Sequence, residues 1–369
     1  MANKNLSAAK SAKNDEFYTQ YSDIQKEVNA YIEYNPDVFR GKTVLCPCDD
    51  PEWSNFTKFF AQNFDRFGMR KLISTSYAYD SKNPKPDFDW QPTLFETENP
   101  AYDAAKSPRH GKIFTLTDQE ESPRDIDKLT WRYLEGDGDF RSDEVRALLR
   151  EADIVVTNPP FSLFREFIAW IFSEEKKFVV IGNKNAITYK EIFPLIMQNK
   201  MWIGKTPMSQ DMLFDVPDQQ KFSQGKKPGS GYRVVNGTVY ARAQAVWFTN
   251  LEHVRLHEPI ELITLKDNIS DSRHSDIRGI GYQKYDNYEA VEIPYCDAIP
   301  SDYDGVMGVP ISFLDKYCPE QFEILGATES EGKGFSNGLW DSSSGVAQPL
   351  LHGERVYKRI FIRHKNLQK

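Results

Sequence analysis

Apolar positions recur along the first two thirds of the chain in two rhythms. Short unbroken runs rich in β-branched and aromatic residues read as buried strands: Thr43-Val44-Leu45-Cys46, Lys71 to Thr75, Ile154-Val155-Val156-Thr157, Phe178 to Gly182 and Gln244 to Thr249. Between them, apolar residues at three- and four-residue spacing predict helices. One runs from Asp23 to Tyr34, with Ile24, Val28, Tyr31 and Ile32 on one face, and Asn35-Pro36 ends it. A second runs from Ser54 to Phe67, with Phe56, Phe59, Phe60 and Phe64 inward. A third carries Val145, Leu148 and Leu149, and a fourth, expected to be capped by Ser162, carries Leu163, Phe164, Phe167, Ile168, Ile171 and Phe172. Lys190 to Asn199 is expected to be helical despite Pro194, and Ile113 to Leu116 to be a hairpin arm. Tyr232 to Val235 and Thr238 to Tyr240 flank Asn236-Gly237, a strong signal for a hairpin with a tight turn.

Strands alternating with helices predict an α/β sheet. Beyond about Leu251 strands are short, Gly and Pro are frequent, and Gly332, Gly334, Gly338 and Gly345 sit in a loop-rich stretch. Two domains are therefore expected, 1–250 and a smaller 251–369. Residues 80–112 hold Pro84, Pro86, Pro92, Pro100 and Pro108 with little periodicity, which predicts an irregular insertion.

Composition narrows the setting. A hydrophobic content of 40% over 369 residues supports a full core. No apolar run approaches a membrane span, and Met1 to Lys13, with Lys4, Lys10 and Lys13, lacks the apolar stretch of a signal peptide. Four cysteines in so long a chain suit a reduced, cytoplasmic protein. Cys46 and Cys48 are one residue apart and Cys296 and Cys318 remote, which is poor zinc spacing, so no metal is expected. The net charge of −8 argues against wholesale binding of nucleic acid. Its distribution is uneven. Gln219 to Leu251 contains no acid but has Lys221, Lys226, Lys227, Arg233 and Arg242, and Leu351 to Lys369 has six basic residues, among them Arg355, Lys358, Arg359 and Arg363, against Glu354 alone. Each stretch reads either as a phosphate-tracking surface or as a solvated basic face.

The most specific chemistry follows the strand at Ile154. In Asn158-Pro159-Pro160-Phe161 two prolines without N–H groups force a rigid extended turn at the carboxyl end of a strand, where open α/β sheets place their sites. A planar amine such as the exocyclic amine of adenine has a delocalised lone pair, and it needs acceptors aimed at its N–H groups before it can attack a methyl donor. The Asn158 side-chain oxygen and the Pro159 carbonyl supply two, Pro160 holds the turn, and Phe161 offers a ring face to a flipped base. The strand–loop–helix–strand unit from Thr43 lacks a glycine-rich phosphate cradle, which counts against a dinucleotide. Asp49 and Asp50 suit the positive or hydroxyl-bearing parts of S-adenosylmethionine. After Trp131-Arg132-Tyr133-Leu134 comes Glu135-Gly136-Asp137-Gly138-Asp139-Phe140, where a carboxylate and an aromatic together could hold an adenine edge and face. The plainer alternatives are a strand-to-helix turn at Asn158, a helix-start charge at Asp49-Asp50 and a Gly-Asp turn at Asp139.

Taken together, these residues resemble the adenine-N6 DNA methyltransferases, most closely the EcoRI-type modification methylases. Asn14-Asp15-Glu16-Phe17-Tyr18-Thr19 is similar to the family's N-terminal cofactor motif, and Val44-Leu45-Cys46-Pro47-Cys48-Asp49-Asp50-Pro51 to its first cofactor loop. Gly138-Asp139-Phe140 is similar to the cofactor-adenine motif, and Asn158-Pro159-Pro160-Phe161 to the catalytic tetrapeptide. The resemblance implies a Rossmann-like S-adenosylmethionine-dependent fold with a seven-stranded, mostly parallel sheet and a smaller C-terminal DNA-recognition domain. It implies catalysis by Asn158, Pro159, Pro160 and Phe161, and a cofactor site made by Tyr18, Thr19, Pro47, Asp49, Asp50, Asp139, Phe140 and Asn158. The expected substrate is adenine in duplex DNA, bound through Lys226, Lys227, Arg233, Arg355, Lys358 and Arg359. A cognate restriction endonuclease is a candidate partner. Where the family places a ribose-binding carboxylate after the second strand, this chain has Ser74-Thr75-Ser76. Methylation of RNA adenine or of a glutamine amide, and an inactive DNA-binding module, remain open alternatives.

Overall fold

The computed structural model describes residues 18–78, 97–119, 130–216, 219, 223, 228–229, 231–328 and 348–366. The chain divides into two compact units, 1–183 with 210–251, and 184–209 with 252–369. Residues 14–17 of the N-terminal motif, much of the 80–112 insertion, Lys221, Lys226, Lys227 and the four glycines from Gly332 to Gly345 lie outside the described residues.

The first unit opens with β1 (Tyr18–Thr19), α1 (Tyr21–Tyr34), β2 (Thr43–Cys46), α2 (Asn55–Gln62), α3 (Phe64–Phe67) and β3 (Lys71–Thr75). It continues through β4 (Lys112–Thr117), β5 (Arg132–Tyr133), α4 (Asp143–Glu151), β6 (Ile154–Thr157), α5 (Phe164–Ser173) and β7 (Lys177–Asn183). The chain enters the second unit for α6 (Phe193–Met197) and β8 (Trp202–Ile203). It then returns for β9 (Met212–Asp215), β10 (Tyr232–Val235), β11 (Thr238–Ala243) and β12 (Ala245–Thr249).

Within this unit the main sheet runs β5-β4-β3-β2-β6-β7-β12. Its four central strands, β3, β2, β6 and β7, are mutually parallel, and β4 and β12 flank them antiparallel. Every residue of β2 and β6 is buried, as expected of strands covered on both faces. A second sheet, β1-β9-β11-β10, is antiparallel throughout, with Thr19 opposite Phe214. Asn236 and Gly237, both at positive φ, make the tight turn between β10 and β11 that Asn-Gly favours.

The aromatic residues of α1, α2 and α3 fill one side of the core. Phe39 stacks on Phe67 with centroids 5.5 Å apart, and Phe59 meets Phe60 edge-on at 5.3 Å. Each fully buried ring contributes about 1.5–3 kcal/mol of transfer free energy. On β7, Gly182 has no side chain because the Phe164 ring occupies the space; a Cβ there would lie 2.4 Å from that ring.

Local details differ from expectation for identifiable reasons. The expected Ser54–Phe67 helix breaks at Asn63, whose side-chain amide donates to the Phe59 carbonyl. Ser162 does not cap α5: a 3₁₀ turn, Phe161–Leu163, follows the prolines, and Leu163 takes the N-cap position. Ser54 and Ser142 instead cap α2 and α4, accepting from Phe56 N and Val145 N. The helix expected from Lys190 is only Phe193–Met197, because Pro194 suits a first turn and not an interior.

The second unit adds α7 (Leu265–Asp271), β13 (Val291–Glu292), β14 (Met307–Pro310), β15 (Phe322–Ala327), β16 (Leu350–Leu351), β17 (Glu354–Arg355) and β18 (Arg359–His364). One sheet runs β13-β14-β18-β15, and β16 pairs with β17 in a separate hairpin. Tyr285, Tyr288, Ala290 and Phe361 form a small buried cluster. Among the described residues, no helix is long and apolar enough to cross a membrane, and no group of three or more His, Cys, Asp or Glu could hold a metal.

Candidate active site

The site lies where β2, β3 and β6 end side by side. Parallel register sets Val44 against Leu72 and Ile154, so the three strands deliver the loops after Cys46, Thr75 and Thr157 to the same edge.

Asp49 is the centre of this edge. It is 5% exposed, and both carboxylate oxygens accept from hydroxyls: Ser54 Oγ donates to Oδ1 at 2.7 Å and Thr157 Oγ1 to Oδ2 at 2.5 Å. Its backbone is equally engaged, with its N–H donating to Thr75 O at 2.9 Å and its carbonyl accepting from Ser74 Oγ at 2.6 Å. Burial pushes the Asp49 carboxyl up to about 7; the Thr157 and Ser54 hydroxyls oppose this, and neighbouring Asp50 adds to it. Thr75 Oγ1 donates to the Pro47 carbonyl at 3.1 Å, so the whole loop is stitched to the end of β3.

Asp50 turns differently. Its side chain accepts from Glu52 N at 2.9 Å and lies 3.6 Å from Lys112 Nζ. Lys112 is itself held by Glu52 at 2.8 Å and lies 4.7 Å over the Trp131 ring, whose Nε1 donates to the same Glu52 at 2.9 Å.

The turn carrying Asp139 comes to the same place. Ala78 N donates to the Asp137 carbonyl at 2.7 Å, which ties the turn to the chain leaving β3. Gly138, at φ +80°, backs onto the end of β3: a Cβ there would sit 2.1 Å from the Ser76 carbonyl oxygen, and one on Gly111 2.4 Å from the same atom. Asp139 forms a bidentate pair with Arg141, at 2.9 and 2.8 Å. Phe140 turns inward, edge-on to Phe167 at 5.1 Å and Trp170 at 5.4 Å.

The N-terminal segment joins through Asn55, whose side-chain amide donates to the Thr19 carbonyl at 2.8 Å. Thr19 is buried and Tyr18 half-buried. From the Thr19 carbonyl to the Asn55 amide, across the peptide to Ser54, and on through Asp49 to Thr157, hydrogen bonds and one peptide link connect the first motif to the residue before Asn158. Asn158 is half-buried, Pro159 buried and Pro160 exposed, while Phe161 is half-buried against the main core. Pro47 is buried.

The expected cationic residues are placed less uniformly. Arg233 and Arg242 share Asp211, at 2.5 and 2.9 Å. In the second unit Arg355 is exposed on β17. Lys358 donates to Thr188 Oγ1 at 3.3 Å, and its ammonium is drawn down by burial. Arg359 is largely buried in an ion pair with Glu292 at 2.6 Å, which Tyr285 also contacts. Arg363 pairs with Glu323 at 2.9 Å.

The sequence motifs do not single out Ser54, Asn55, Thr57 or Thr157, which with Ser74 supply the hydroxyls and amide that assemble this edge. Their only signal was a concentration of small polar residues at strand ends and at a helix start.

Comparison with known proteins bears on what this edge does. The family model for the adenine-specific methyltransferase EcoRI matches residues 5–365. The chain is 37% identical to the Type II methyltransferase M.EcoRI of Escherichia coli over 369 residues, covering 100% of this chain and 98% of that protein. It is 34% identical over 318 residues to the Type II methyltransferase M.MpnI of Mycoplasma pneumoniae, covering 86% of this chain and 83% of that one. No solved structure matches significantly. The tetrapeptide at the end of β6 thus stands in a chain whose whole length follows one pattern, and the chain belongs to the EcoRI family of adenine-specific methyltransferases.

Proposed function

We propose that the protein transfers a methyl group from S-adenosylmethionine to the N6 amine of adenine at specific sites in duplex DNA. The observation that carries this reading is the position of Asn158-Pro159-Pro160-Phe161. It leaves the carboxyl end of β6 beside the Pro47–Asp50 loop, and the helix that follows it, α5, packs on the Asp139 turn through Phe140–Phe167 and Arg141–Glu166.

The donor set suits the proposed cofactor. Asp49, Asp50 and Asp139 bring carboxyls to this edge, engaged by two hydroxyls, by Lys112 and by Arg141 respectively, and such polar groups suit a hydroxyl-bearing ligand better than a phosphate. S-Adenosylmethionine supplies an electrophilic methyl on a sulfonium. Tyr18, Thr19, Pro47, Asp49, Asp50, Asp139, Phe140 and Asn158 are the residues we assign to holding it. The Asn158 side-chain oxygen and the Pro159 carbonyl accept from the two N–H bonds of the substrate amine. This concentrates the lone pair on nitrogen as it becomes tetrahedral. Pro160 keeps the turn rigid, and Phe161 stacks on the extruded base.

The strands from β5 to β12 in the first unit correspond on this reading to the seven-stranded sheet of such enzymes. The second unit carries target recognition. Lys226, Lys227 and Arg233 of the first unit and, separately, Arg355 and Lys358 of the second are the cations we assign to phosphate contacts, whereas Arg359, buried against Glu292, serves the fold of the second unit. A restriction endonuclease cutting the same sites is the expected partner, and a reducing, cytoplasmic compartment the expected setting.

The test is methyl incorporation from labelled S-adenosylmethionine into duplex DNA, RNA and a glutamine-containing peptide, followed by nucleoside analysis. N6-methyladenine from the duplex alone is expected. Label confined to RNA or peptide, or no transfer with normal binding of DNA, overturns the proposal.

A further inference from the structure

We propose that Asp49 is a positioning residue for the amine clamp: through Thr157 it holds the strand end from which Asn158 and Pro159 project. This rests on the proposed role of the Asn158 turn.

The need for a strut follows from the sheet. The registered pairs between β2 and β6 are Val44–Ile154 and Leu45–Val155, so that ladder stops two residues before β6 ends. On its other side Thr157 is still opposite Val180 of β7. The next residues after Asn158 are Pro159 and Pro160, which have no N–H to pin the turn. On the β2 side, the Thr157 hydroxyl donating to Asp49 Oδ2 at 2.5 Å takes the place of ladder bonds.

A strut is only as firm as its far end. Asp49 is tied to β3 through Thr75 O and Ser74 Oγ, and to α2 through Ser54 Oγ. Ser54 is in turn fixed, because its Oγ accepts from Phe56 N at 3.0 Å in capping α2. Ser74 is braced by Thr57 Oγ1 at 2.5 Å. A carboxyl suits this position because its two oxygens engage both hydroxyls at once. An error of about 1 Å in placing a reacting group costs up to roughly a hundredfold in rate, so a lost strut should be visible in turnover.

The experiment compares Thr157→Val, which keeps the shape and removes the hydroxyl, with Thr157→Ser, which keeps the hydroxyl. The Val variant is expected to lose roughly ten- to a hundredfold in kcat for duplex methylation, with the dissociation constant of S-adenosylmethionine within twofold of wild type. The Ser variant should recover most of the loss. Amide exchange in the free protein is the readout independent of activity. The Asn158 and Phe161 amides should exchange about tenfold faster in the Val variant and at the wild-type rate in the Ser variant. Should Thr157→Val fail to fold, Thr157→Ala is measured in the same two ways, with the same losses expected. Wild-type kcat in the folded variant, equal impairment of Val and Ser, or donor affinity falling in step with kcat would each overturn the proposal. A wild-type protein that methylates no adenine would sink the proposed function, while unchanged exchange at Asn158 and Phe161 would sink the strut.

Discussion

The buried carboxyl of Asp49 predicts that folding stability falls as pH rises through a defined window. In the unfolded chain an aspartate titrates near ~3.9. In the folded protein burial carries Asp49 to about 7, against the pull of the Thr157 and Ser54 hydroxyls. Between these values the folded state keeps a proton that the unfolded state has released. Each step upward in pH therefore favours the unfolded state, until Asp49 has also ionised above about pH 7. About three pH units at ~1.4 kcal/mol each gives about 4 kcal/mol in all, of which about 3 kcal/mol falls between pH 5 and pH 8. Asp49→Asn removes the titration while leaving an amide of the same shape. Urea unfolding of both proteins at pH 5 and pH 8 isolates the effect, since every other group titrates alike in the two chains. The stability of the Asn variant relative to wild type should rise by about 3 kcal/mol from the lower pH to the higher. Parallel pH dependences, within ~0.5 kcal/mol, would mean that Asp49 is not the enclosed, doubly hydrogen-bonded carboxyl described above.

Other consequences are more direct. Asn158→Ala should lower kcat roughly a hundredfold, on the order of 3 kcal/mol of lost transition-state stabilisation, with little change in donor affinity; near wild-type turnover would remove Asn158 from the chemistry. Gly138→Ala meets the Ser76 carbonyl and a backbone at φ +80°, so a loss of at least ~1–2 kcal/mol and weakened donor binding are expected. An unshifted melting temperature would show that the junction with β3 is loose. Changing Lys226, Lys227 and Arg233 together to Ala should weaken binding to all DNA sequences alike and reduce the slope of log K against log salt by about two to three. An unchanged slope would move the duplex elsewhere.

The elements that were legible in the sequence are those whose signals are local. The strand at Ile154, its proline stop and the apolar face of α5 can be read from one short stretch, as can the Asn236-Gly237 hairpin. What was not legible depends on partners far away in the chain. Nothing near Arg359 announces Glu292, 67 positions earlier, and nothing near Arg233 announces Asp211. A run of cations in a sequence therefore overstates the free positive charge on the folded surface. Pairing across the sheet is hidden for the same reason. The antiparallel placement of β4 beside β3 follows a long insertion, and β1 pairs with β9, almost two hundred residues on. The two acids of the first loop look alike in sequence, yet one is enclosed by hydroxyls and the other faces Lys112.

The first loop also explains how this edge dispenses with glycine, and it yields a test of ligand class. A glycine-rich loop recognises phosphate by presenting bare amides. Here Asp49 N is taken by Thr75, the Asp49 carbonyl by Ser74 and the Pro47 carbonyl by Thr75, while Pro47 and Pro51 have no N–H. Much of the loop backbone is thus turned toward β3, and few of its amides are left to meet a phosphate. The hydroxyls of Ser74 and Thr75, at the end of β3, are already engaged with this loop. A dinucleotide or nucleoside triphosphate would bring phosphates to an edge of acidic side chains with few free amides to receive them, whereas a sulfonium or its neutral thioether product brings none. Calorimetry should therefore detect S-adenosylmethionine and S-adenosylhomocysteine at micromolar concentrations and show no binding of NAD or ATP at millimolar concentrations. Comparable affinity for the phosphate-bearing ligands would mean that backbone amides do face the pocket, and that the hydrogen bonds to Ser74 and Thr75 are not the ones that order the loop.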